Sequence, residues 1–359
     1  MVDKNGIIAI PPGETIKEQL EYRDMTQVEF AERMGQSTKH ISQLLNGKVP
    51  LTQQTALKLE SVLGIPAKFW NNLEAIYQED LARIELEVEL EKETEIARQI
   101  PYNEMVKKGW LKATRKVTEK VYELRKFFEV ASLNQIPNIN DYAVAFRKVD
   151  HGKASNYSLS AWVQKAMLEG REVQTSNFNK TKLKKVLPAL RSLVNEPPNI
   201  FQNQLTSLLA EAGVAVVFLP HLPGTYAHGA TLWPSRQKAV IALTIRGKDA
   251  DKFWFSFFHE VGHLMLHDKN ETYIHYDSLN DYDDKEHEAD HFASNFLIPE
   301  EDYKDFTMAF DFSEANITSF AKKINLPTGI IVGRLQHDNL IHFSEMNHLK
   351  VKYEWVHNA

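Results

Sequence analysis

The apolar positions of the last third of the chain predict two helices of different character. Residues 249–267 are apolar around almost the whole circumference of a helix, which is typical of a helix buried in the middle of a domain. A second helix is predicted from Glu286 to a stop near Pro299. Its apolar stripe consists of Ala289, Phe292, Ala293, Phe296 and Leu297.

Just before the apolar helix, three runs rich in β-branched residues predict strands. They cover Val214–Leu219, Gly229–Trp233 and Ala239–Ile245, with turns at 220–224 and at Pro234-Ser235. We expect a small antiparallel sheet, and so a C-terminal domain of α+β type. An edge strand of this sheet could pair with an extended substrate peptide, but a purely structural sheet fits the pattern equally well.

The first 78 residues carry a different pattern, in which two short helices are joined by a tight turn. Thr26 is placed to cap a helix that runs to Met34, and Gly35 breaks it. Ser37 is placed to cap a second helix, which Asn46-Gly47 closes. This spacing predicts a helix-turn-helix.

Between these two regions the sequence predicts helical connections. Residues 79–98 hold eight acidic and three basic residues, and residues 84–90 alternate apolar and acidic side chains as a strand would. We favour a helix, because no turn residue occurs before Pro101 and a helical apolar stripe is present. Its members are Tyr77, Leu81, Ile84 and Val88. This charged helix is expected to be a solvated linker or a support for a dimer.

The remaining connector, residues 101–199, is expected to be helical and to carry no recognisable chemistry. Helices are predicted near Thr118–Ala131, Ser160–Gly170 and Thr181–Asn195, the last interrupted at Pro188. Pro197-Pro198 forms a boundary. We therefore expect three parts: 1–78, 79–199 and 200–359.

Composition adds little to this picture except for the histidines. A chain of 359 residues with net charge −6 and 25% charged residues is an ordinary globular protein of two or three domains. Residues 1–14 show no apolar core of signal-peptide length, and no apolar run approaches the roughly 20 residues of a membrane span. We expect a cytoplasmic protein with no membrane partner. Because 12 of 14 histidines lie at or after His221, metal chemistry is expected in the C-terminal part.

The most specific chemical pattern is His259-Glu260-Val261-Gly262-His263. On a helix the two histidines lie one turn apart on one face and can bind one metal ion, with Glu260 beside the bound water as general base. We expect Zn²⁺, with Mn²⁺ as the alternative ion, and peptide hydrolysis as the reaction. The alternative is a structural role, in which the two histidines lie in the core and are hydrogen-bonded to their neighbours.

A third ligand must come from elsewhere. His267 lies two turns from His259, so one ion does not easily take all three histidines. We favour Glu286, which falls closer to the centre of the apolar stripe of its helix than Glu288 does. A solvated helix start would leave the choice among Glu286, Glu288 and His287 open, and His275 is a further candidate. Asp290 is placed to accept the second ring N–H of a ligand histidine.

Two further sets of side chains are candidates for function. The oxyanion of the tetrahedral intermediate could be stabilised by His228, Tyr226, Tyr273, His275 or His291, and the sequence does not choose among them. For DNA, the turn and second helix of the predicted helix-turn-helix offer donors and acceptors for base edges and phosphates. These residues are Gln36, Ser37, Thr38, Lys39, Ser42, Gln43 and Lys48.

Charge supports DNA binding only locally. Residues 1–78 hold eight Lys/Arg and nine Asp/Glu, a net charge of −1, which by itself argues against nucleic acid. Between Arg33 and Leu59, however, four basic residues occur and no acidic one. A helical bundle that binds only protein is the alternative.

The C-terminal motifs resemble those of the ImmA/IrrE family of bacterial metallopeptidases. The resemblance rests on Phe253 through His267 and on the Glu-x-x-Ala-Asp-x-Phe-Ala-x-x-Phe-Leu-Ile-Pro pattern that starts at Glu286. It covers roughly the last 150 residues and implies a glutamate ligand at Glu286. It also implies site-specific cleavage of a regulatory protein, often a transcriptional repressor.

The N-terminal helices resemble the lambda-repressor-like (XRE) class, particularly HigA-type antitoxins. The residues before the motif (10–14) and after it (50–52 and 69–73) carry this resemblance. We therefore expect an all-α helix-turn-helix domain, a helical connector and a zincin-like α+β peptidase domain. The expected partners are double-stranded operator DNA, a second copy of the chain, and a repressor or toxin-like protein as substrate. The alternative is a non-enzymatic antitoxin or repressor whose metal domain only senses metal or binds a partner.

Overall fold

The computed structural model describes residues 8–140, 142, 155–244, 248–269, 271–276 and 284–354. By their contacts the residues form two compact units, 1–94 and 95–359. Within the described residues, no helix combines the length and apolar character that a membrane span needs.

The first unit is all helical, as predicted. Its helices are α1 (Pro12–Tyr22), α2 (Gln27–Met34), α3 (Thr38–Leu45), α4 (Gln53–Leu63) and α5 (Ala67–Lys92). Phe30, Ile41, Leu59 and Trp70, one from each of α2 to α5, are completely buried and form its core. The apolar faces of these short helices therefore meet in one small bundle.

The helix-turn-helix is confirmed in its local detail. Thr26 Oγ1 accepts the backbone N–H of Glu29 at 3.2 Å and Ser37 Oγ accepts that of His40 at 3.2 Å, so both predicted caps are formed. Gly35 ends α2 with φ of 59°, in the left-handed region that favours glycine. The small turn between α2 and α3 depends on this residue.

The acidic segment is helical, as expected. Residues 84–90, whose alternation resembles a strand, lie inside α5. This helix carries the first unit beyond residue 78 to residue 94, and the predicted three-part division stays a prediction.

Among the described residues of the second unit, six α-helices precede the sheet. They are α6 (Thr94–Gln99), α7 (Tyr102–Lys107), α8 (Val117–Phe128), α9 (Asn156–Glu172), α10 (Lys180–Ser192) and α11 (Pro198–Glu211), with short 3₁₀ segments at Leu133–Asn138 and Leu193–Asn195.

One prediction for this region is wrong: α10 continues through Pro188 instead of breaking there. A proline removes one helical hydrogen bond. Leu183, Leu187 and Leu190, on both sides of the proline, are buried in the same core as the helix of the histidine motif. Tertiary packing therefore offsets the local cost of the proline.

In the part of the chain that the structure describes, the sheet has four strands in the order β1-β3-β2-β4. They are β1 (Val214–Phe218), β2 (Ala227–Ser235), β3 (Lys238–Leu243) and β4 (Tyr273–Tyr276). The expected final strand residue, Ile245, lies outside the described residues.

The expectation of a wholly antiparallel sheet is wrong, because β1 pairs with β3 in parallel, with Val214 opposite Ala239. The β2–β3 and β2–β4 pairs are antiparallel. After β1 the chain crosses to the far side of β3 before it forms β2. Hydrophobic alternation identifies strands but does not say on which side each strand joins the sheet.

Helices cover the sheet on its two faces. Helix α12 (Ala250–Leu266) carries the histidine motif, and Ile241 of β3 shares its hydrophobic core. On the other face, Gly170 of α9 lies directly against Val240. The chain then forms α13 (Asp284–Leu297), α14 (Glu300–Met308), α15 (Glu314–Lys323), α16 (Thr328–His337) and a 3₁₀ segment at Asn347–Leu349.

The two C-terminal helices predicted from the apolar pattern are thus present. Trp254, Phe257 and Phe258 of α12 are completely buried, as the apolar circumference of the helix requires. Helix α13 buries Ala289, Ala293 and Leu297 of the predicted stripe. These two helices bring the candidate metal ligands together.

Candidate metal centre and DNA-binding surface

The two motif histidines face each other on one side of α12 and are buried. His259 is 0% exposed and His263 is 1% exposed, and their Nε2 atoms lie 2.9 Å apart. From α13, Glu286 Oε2 approaches His259 Nε2 at 3.1 Å and His263 Nε2 at 3.6 Å. Two imidazoles and one carboxylate therefore converge on one point.

This donor set fits a divalent metal ion. The three ligand atoms lie within 4.8 Å of one another. Ligand atoms about 2.0–2.1 Å from a tetrahedral zinc ion are about 3.3–3.4 Å apart, close to the separations found here. Two neutral nitrogens and one carboxylate also match the ligand types of catalytic zinc sites, which keep a fourth position for water.

The carboxylates of Asp290 and Glu286 favour a positive charge on His259. Burial by itself would lower the pKa of His259, but its hydrogen bonds to Asp290 and Glu286 raise that pKa to about 10. Burial lowers the pKa of His263 to about 4, although Glu286 acts in the opposite direction. The two carboxylates thus favour positive charge at His259, which is the electrostatic environment that a divalent ion needs.

The other candidates for third ligand are placed differently. Glu288 contacts His267 Nε2 at 3.0 Å and its side chain is 60% exposed. His287 is exposed. The structure also groups His259, His275 and Asp290 as a second possible set, but this set uses the far side of His259. The geometry supports Glu286, whose role as ligand stays a prediction.

The candidate base, Glu260, is held by strand β2. Its side chain is 0% exposed, and the Thr231 hydroxyl lies 2.7 Å from Glu260 Oε2 and donates to it. Gly229 lies so close that a Cβ atom there would be 2.7 Å from Glu260 Oε1. We did not single out these two positions from the sequence. A glycine inside a strand, which often marks a close approach, was the available signal.

Asp290 contacts the ring nitrogen of His259 that lies away from Glu286. Its Oδ1 is 2.7 Å from His259 Nδ1, the ring nitrogen that points away from Glu286. Burial would raise the pKa of Asp290, but the hydrogen bond and charge of His259 lower it. Asp290 is therefore an anion that accepts the second N–H of His259, and its role toward a metal stays a prediction.

The five candidates for oxyanion stabilisation are not equally placed. The His275 ring lies 4.2 Å from that of His259, and Tyr273 stacks on His263 at 4.1 Å with an interplanar angle of 9°. The His228 ring lies 5.7 Å from that of His275. His291 is exposed and contacts Asn295.

Of these, His275 lies against His259 and Tyr273 against His263. Burial lowers the pKa of His275 to about 3, so its ring is neutral. The Tyr273 hydroxyl donates to Glu271, and burial raises its pKa. Tyr226 has a positive φ of 52° in the loop before β2. The choice among the five stays open.

A cavity of about 640 Å³ lies beside the centre. It extends from Asp290 and His275 to the C-terminal segment around Lys350. In its wall, Lys350 Nζ contacts Asp251 Oδ2 at 2.8 Å, and the two side chains are 6% and 9% exposed. This buried ion pair joins the C-terminal segment to the start of α12.

In the first unit, the candidate DNA-binding residues line the turn and α3. Thr38, Lys39, Ser42 and Lys48 are exposed, while Gln36 and Gln43 are half-buried. The Ser37 hydroxyl caps α3 through the N–H of His40, and its backbone is at the helix start. An exposed N-terminal half of a recognition helix is what major-groove reading requires.

The positive charge of this surface is smaller than the sequence indicated. Arg33 forms an ion pair with Glu29 of the same helix at 2.7 Å. Lys39 and Lys48 therefore carry the exposed charge near α3.

Comparison with known protein families gives two matches, one within each compact unit. Residues 209–336 match the Peptidase M78 family, described as an IrrE N-terminal-like domain. Residues 16–70 match a helix-turn-helix family. The first match contains all the candidate metal ligands, and the second contains all the candidate DNA-binding residues.

The first unit also resembles individual regulators. YddM of Escherichia coli K12, described as an uncharacterized HTH-type transcriptional regulator, is 38% identical over 63 residues, 18% of this chain and 67% of YddM. A solved HigA-family addiction module antidote protein from Coxiella burnetii is 32% identical, with a TM-score of 0.22, over 24% of this chain and 94% of the antidote.

Proposed function

We propose that this chain, which belongs to the helix-turn-helix transcriptional regulators and carries an IrrE-like domain of the Peptidase M78 family, binds operator DNA and cleaves a regulatory protein. One observation carries the second half of this proposal. His259, His263 and Glu286 converge, and Thr231 holds the side chain of Glu260, an arrangement that supports both a metal site and a general base. A purely metal-sensing domain has no need of a fixed base.

The residues of the centre divide the work of peptide hydrolysis. His259, His263 and Glu286 would hold a divalent ion, expected to be Zn²⁺. When bound, such an ion polarises the scissile carbonyl and lowers the pKa of a water to about 7. Glu260 takes the proton of the attacking water and delivers it to the leaving amine nitrogen. Thr231 and Gly229 keep the carboxylate of Glu260 in one position.

Strand β4 is the best placed docking edge for an extended substrate. Among the described strands it is the edge strand next to the centre, with His275 opposite Gly229 of β2. A peptide added to this edge would gain backbone hydrogen bonds close to the ligand histidines. The adjacent cavity at Asp290 and His275 has the size of a small-molecule or side-chain pocket.

The DNA-binding domain explains how such a peptidase finds its substrate. A tether to an operator raises the effective concentration of any regulatory protein that assembles there. We therefore expect the substrate to be a repressor or toxin-like protein encoded or bound nearby, or this chain itself between residues 79 and 101. The activity is expected to be latent until a signal releases it, because constant cleavage would remove the regulator.

Comparing proteins from cells that carry the wild type or Glu260→Gln tests this function. A regulatory protein that is cut only in wild-type cells, together with derepression of the target promoter under stress, supports the cleavage switch. An unaltered response in the variant, with DNA affinity unchanged, leaves the alternative: a non-enzymatic regulator whose metal domain senses metal or binds a partner.

DNA binding gives a separate prediction. The chain is expected to bind a short palindrome as a dimer, with half-sites about 34 Å apart. Gln43→Ala or Thr38→Ala should lower sequence preference by roughly 1–3 kcal/mol, because these side chains face base edges. Lys39→Ala or Lys48→Ala should weaken binding to all sequences and flatten its salt dependence. Fluorescence anisotropy at several salt concentrations measures both effects; binding that ignores salt and all four changes would favour the protein-binding alternative.

A second prediction concerns the support of Glu260. Thr231→Val keeps the shape of the side chain but removes its hydrogen bond to a buried carboxylate, which contributes about 1.5–3 kcal/mol. Cleavage should therefore fall roughly 10–100-fold while metal binding is kept. Thr244→Val is the matched control, because the buried Thr244 hydroxyl makes no hydrogen bond to the described residues. Equal activity of Thr231→Val and wild type would show that this bond does not position the base.

A further inference from the structure

We propose that His267 and Glu288 are positioning residues that hold the ring of His263 with its Nε2 atom toward the metal site. The inference rests on the proposed function, since it takes His263 as a metal ligand.

The two residues form a continuous path from His263 to solvent. His263 Nδ1 lies 2.9 Å from His267 Nδ1, and His267 Nε2 lies 3.0 Å from Glu288 Oε2. The His267 side chain is 4% exposed, whereas that of Glu288 is 60% exposed. A buried imidazole thus links the candidate ligand to a carboxylate at the surface.

The protons along this path can be assigned from the chemistry of its end. A carboxylate only accepts hydrogen bonds, so Glu288 requires the proton of His267 on Nε2. In the tautomer with its one proton on Nε2, Nδ1 of His267 accepts a hydrogen bond, and we therefore assign the proton between the two rings to Nδ1 of His263. This leaves the lone pair of His263 on Nε2, the atom that faces Glu286. If the proton of His267 were on Nδ1 instead, its unprotonated Nε2 would face the carboxylate of Glu288, and two hydrogen-bond acceptors would lie against each other.

The local backbone keeps the His267 side chain next to His263. His267 follows the last residue of α12 with an extended backbone, and its N–H still donates to the His263 carbonyl at 3.1 Å. Its side chain therefore stays one turn from His263. The Tyr273 ring stacks on that of His263 with centroids 4.1 Å apart, and its centroid lies 5.3 Å from that of His267.

Helix α13 serves both ligand histidines in the same manner. Asp290 accepts from Nδ1 of His259. Glu288 accepts from Nε2 of His267, whose Nδ1 is paired with Nδ1 of His263. The helix that presents Glu286 to the metal site thus also supplies both carboxylates behind the histidines. Partners of this kind fix the orientation and tautomer of metal-bound imidazoles, and their loss typically costs 10–100-fold in metal affinity.

The test is the Zn²⁺ affinity of the full chain, measured by competition with a chromophoric chelator. His267→Leu removes the acceptor and should weaken Zn²⁺ binding about 10–100-fold. His267→Asn should restore most of the affinity, because its amide oxygen can lie near the former Nδ1 and accept from His263. Glu288→Ala should weaken binding about 10-fold and Glu288→Gln only slightly, since the amide oxygen still accepts. Glu301→Gln, an exposed glutamate on α14, is the control.

A spectroscopic readout separates positioning from packing. Nitrogen-15 NMR of the histidine rings in the Zn²⁺-loaded wild type should show His263 protonated on Nδ1. Wild-type affinity in His267→Leu, or equal losses in His267→Leu and His267→Asn, would overturn the proposal. If His267→Leu unfolds, the Glu288→Ala and Glu288→Gln pair decides in the same way. A wild type that binds no Zn²⁺ would instead overturn the proposed function, so the two failures are distinguishable.

Discussion

Glu260→Gln is expected to lower peptide cleavage by about 10²–10⁴-fold while the protein keeps its metal ion. Glutamine has the shape of glutamate and can still accept the hydrogen bond of Thr231, but it cannot take a proton from water. The candidate ligand set consists of His259, His263 and Glu286 and does not include Glu260, so the ion should stay bound. Cleavage of the identified regulatory protein, together with metal analysis of the same sample, measures both quantities.

The control is Glu301→Gln, an exposed glutamate of α14 that lies outside both the candidate metal centre and the 79–101 segment. It should leave cleavage unchanged. Metal loss in Glu260→Gln would show that Glu260 is a ligand and not the base. Wild-type cleavage by Glu260→Gln would refute the assignment of the base altogether.

Loss of metal is the second large effect expected, in His259→Ala and His263→Ala. The wild type should carry about one divalent ion per chain, because His259, His263 and Glu286 together form one candidate site. With free ion at about 100 times the dissociation constant, binding stabilises the folded protein by about 2.7 kcal/mol. This gain should be absent from both variants, because each keeps only two of the three ligand atoms. Thermal unfolding with and without added Zn²⁺ measures it.

The third ligand is tested by a matched pair on one helix. Glu286→Gln should lose the ion, whereas Glu288→Gln should keep it, since Glu288 faces His267. Metal loss confined to Glu288→Gln would transfer the ligand role to that residue. If His259→Ala, His263→Ala and both glutamine variants all kept the ion, His259 and His263 would be a hydrogen-bonded core pair and not metal ligands.

Much of the fold follows from local signals in the chain. The caps at Thr26 and Ser37 and the left-handed Gly35 act within a few residues, so the helix-turn-helix could be predicted closely. The helices at 250–266 and 284–297 likewise follow from periodicity. The parallel pairing of β1 with β3 and the continuity of α10 through Pro188 could not be predicted. Both depend on contacts between segments that are distant in sequence.

The same division holds for the candidate centre. The sequence alone determined that His259 and His263 share one face and that Glu260 lies between them, because four-residue spacing has this result in any α-helix. Only the tertiary structure decided which carboxylate meets the histidines. Glu286 and Glu288 are about 200° apart around their helix, and the packing of its apolar face turns the first toward α12.

The side chains that position Glu260 and His267 could also be identified only from the tertiary structure. Thr231 and Gly229 reach Glu260 from β2, and Glu288 reaches His267 from α13. Hydrogen bonds of this kind leave no periodic trace in a sequence, because each joins segments whose separation along the chain is set by folding. The sequence therefore determined the chemical groups of this protein, and packing between the sheet and its helices determined how those groups are aimed.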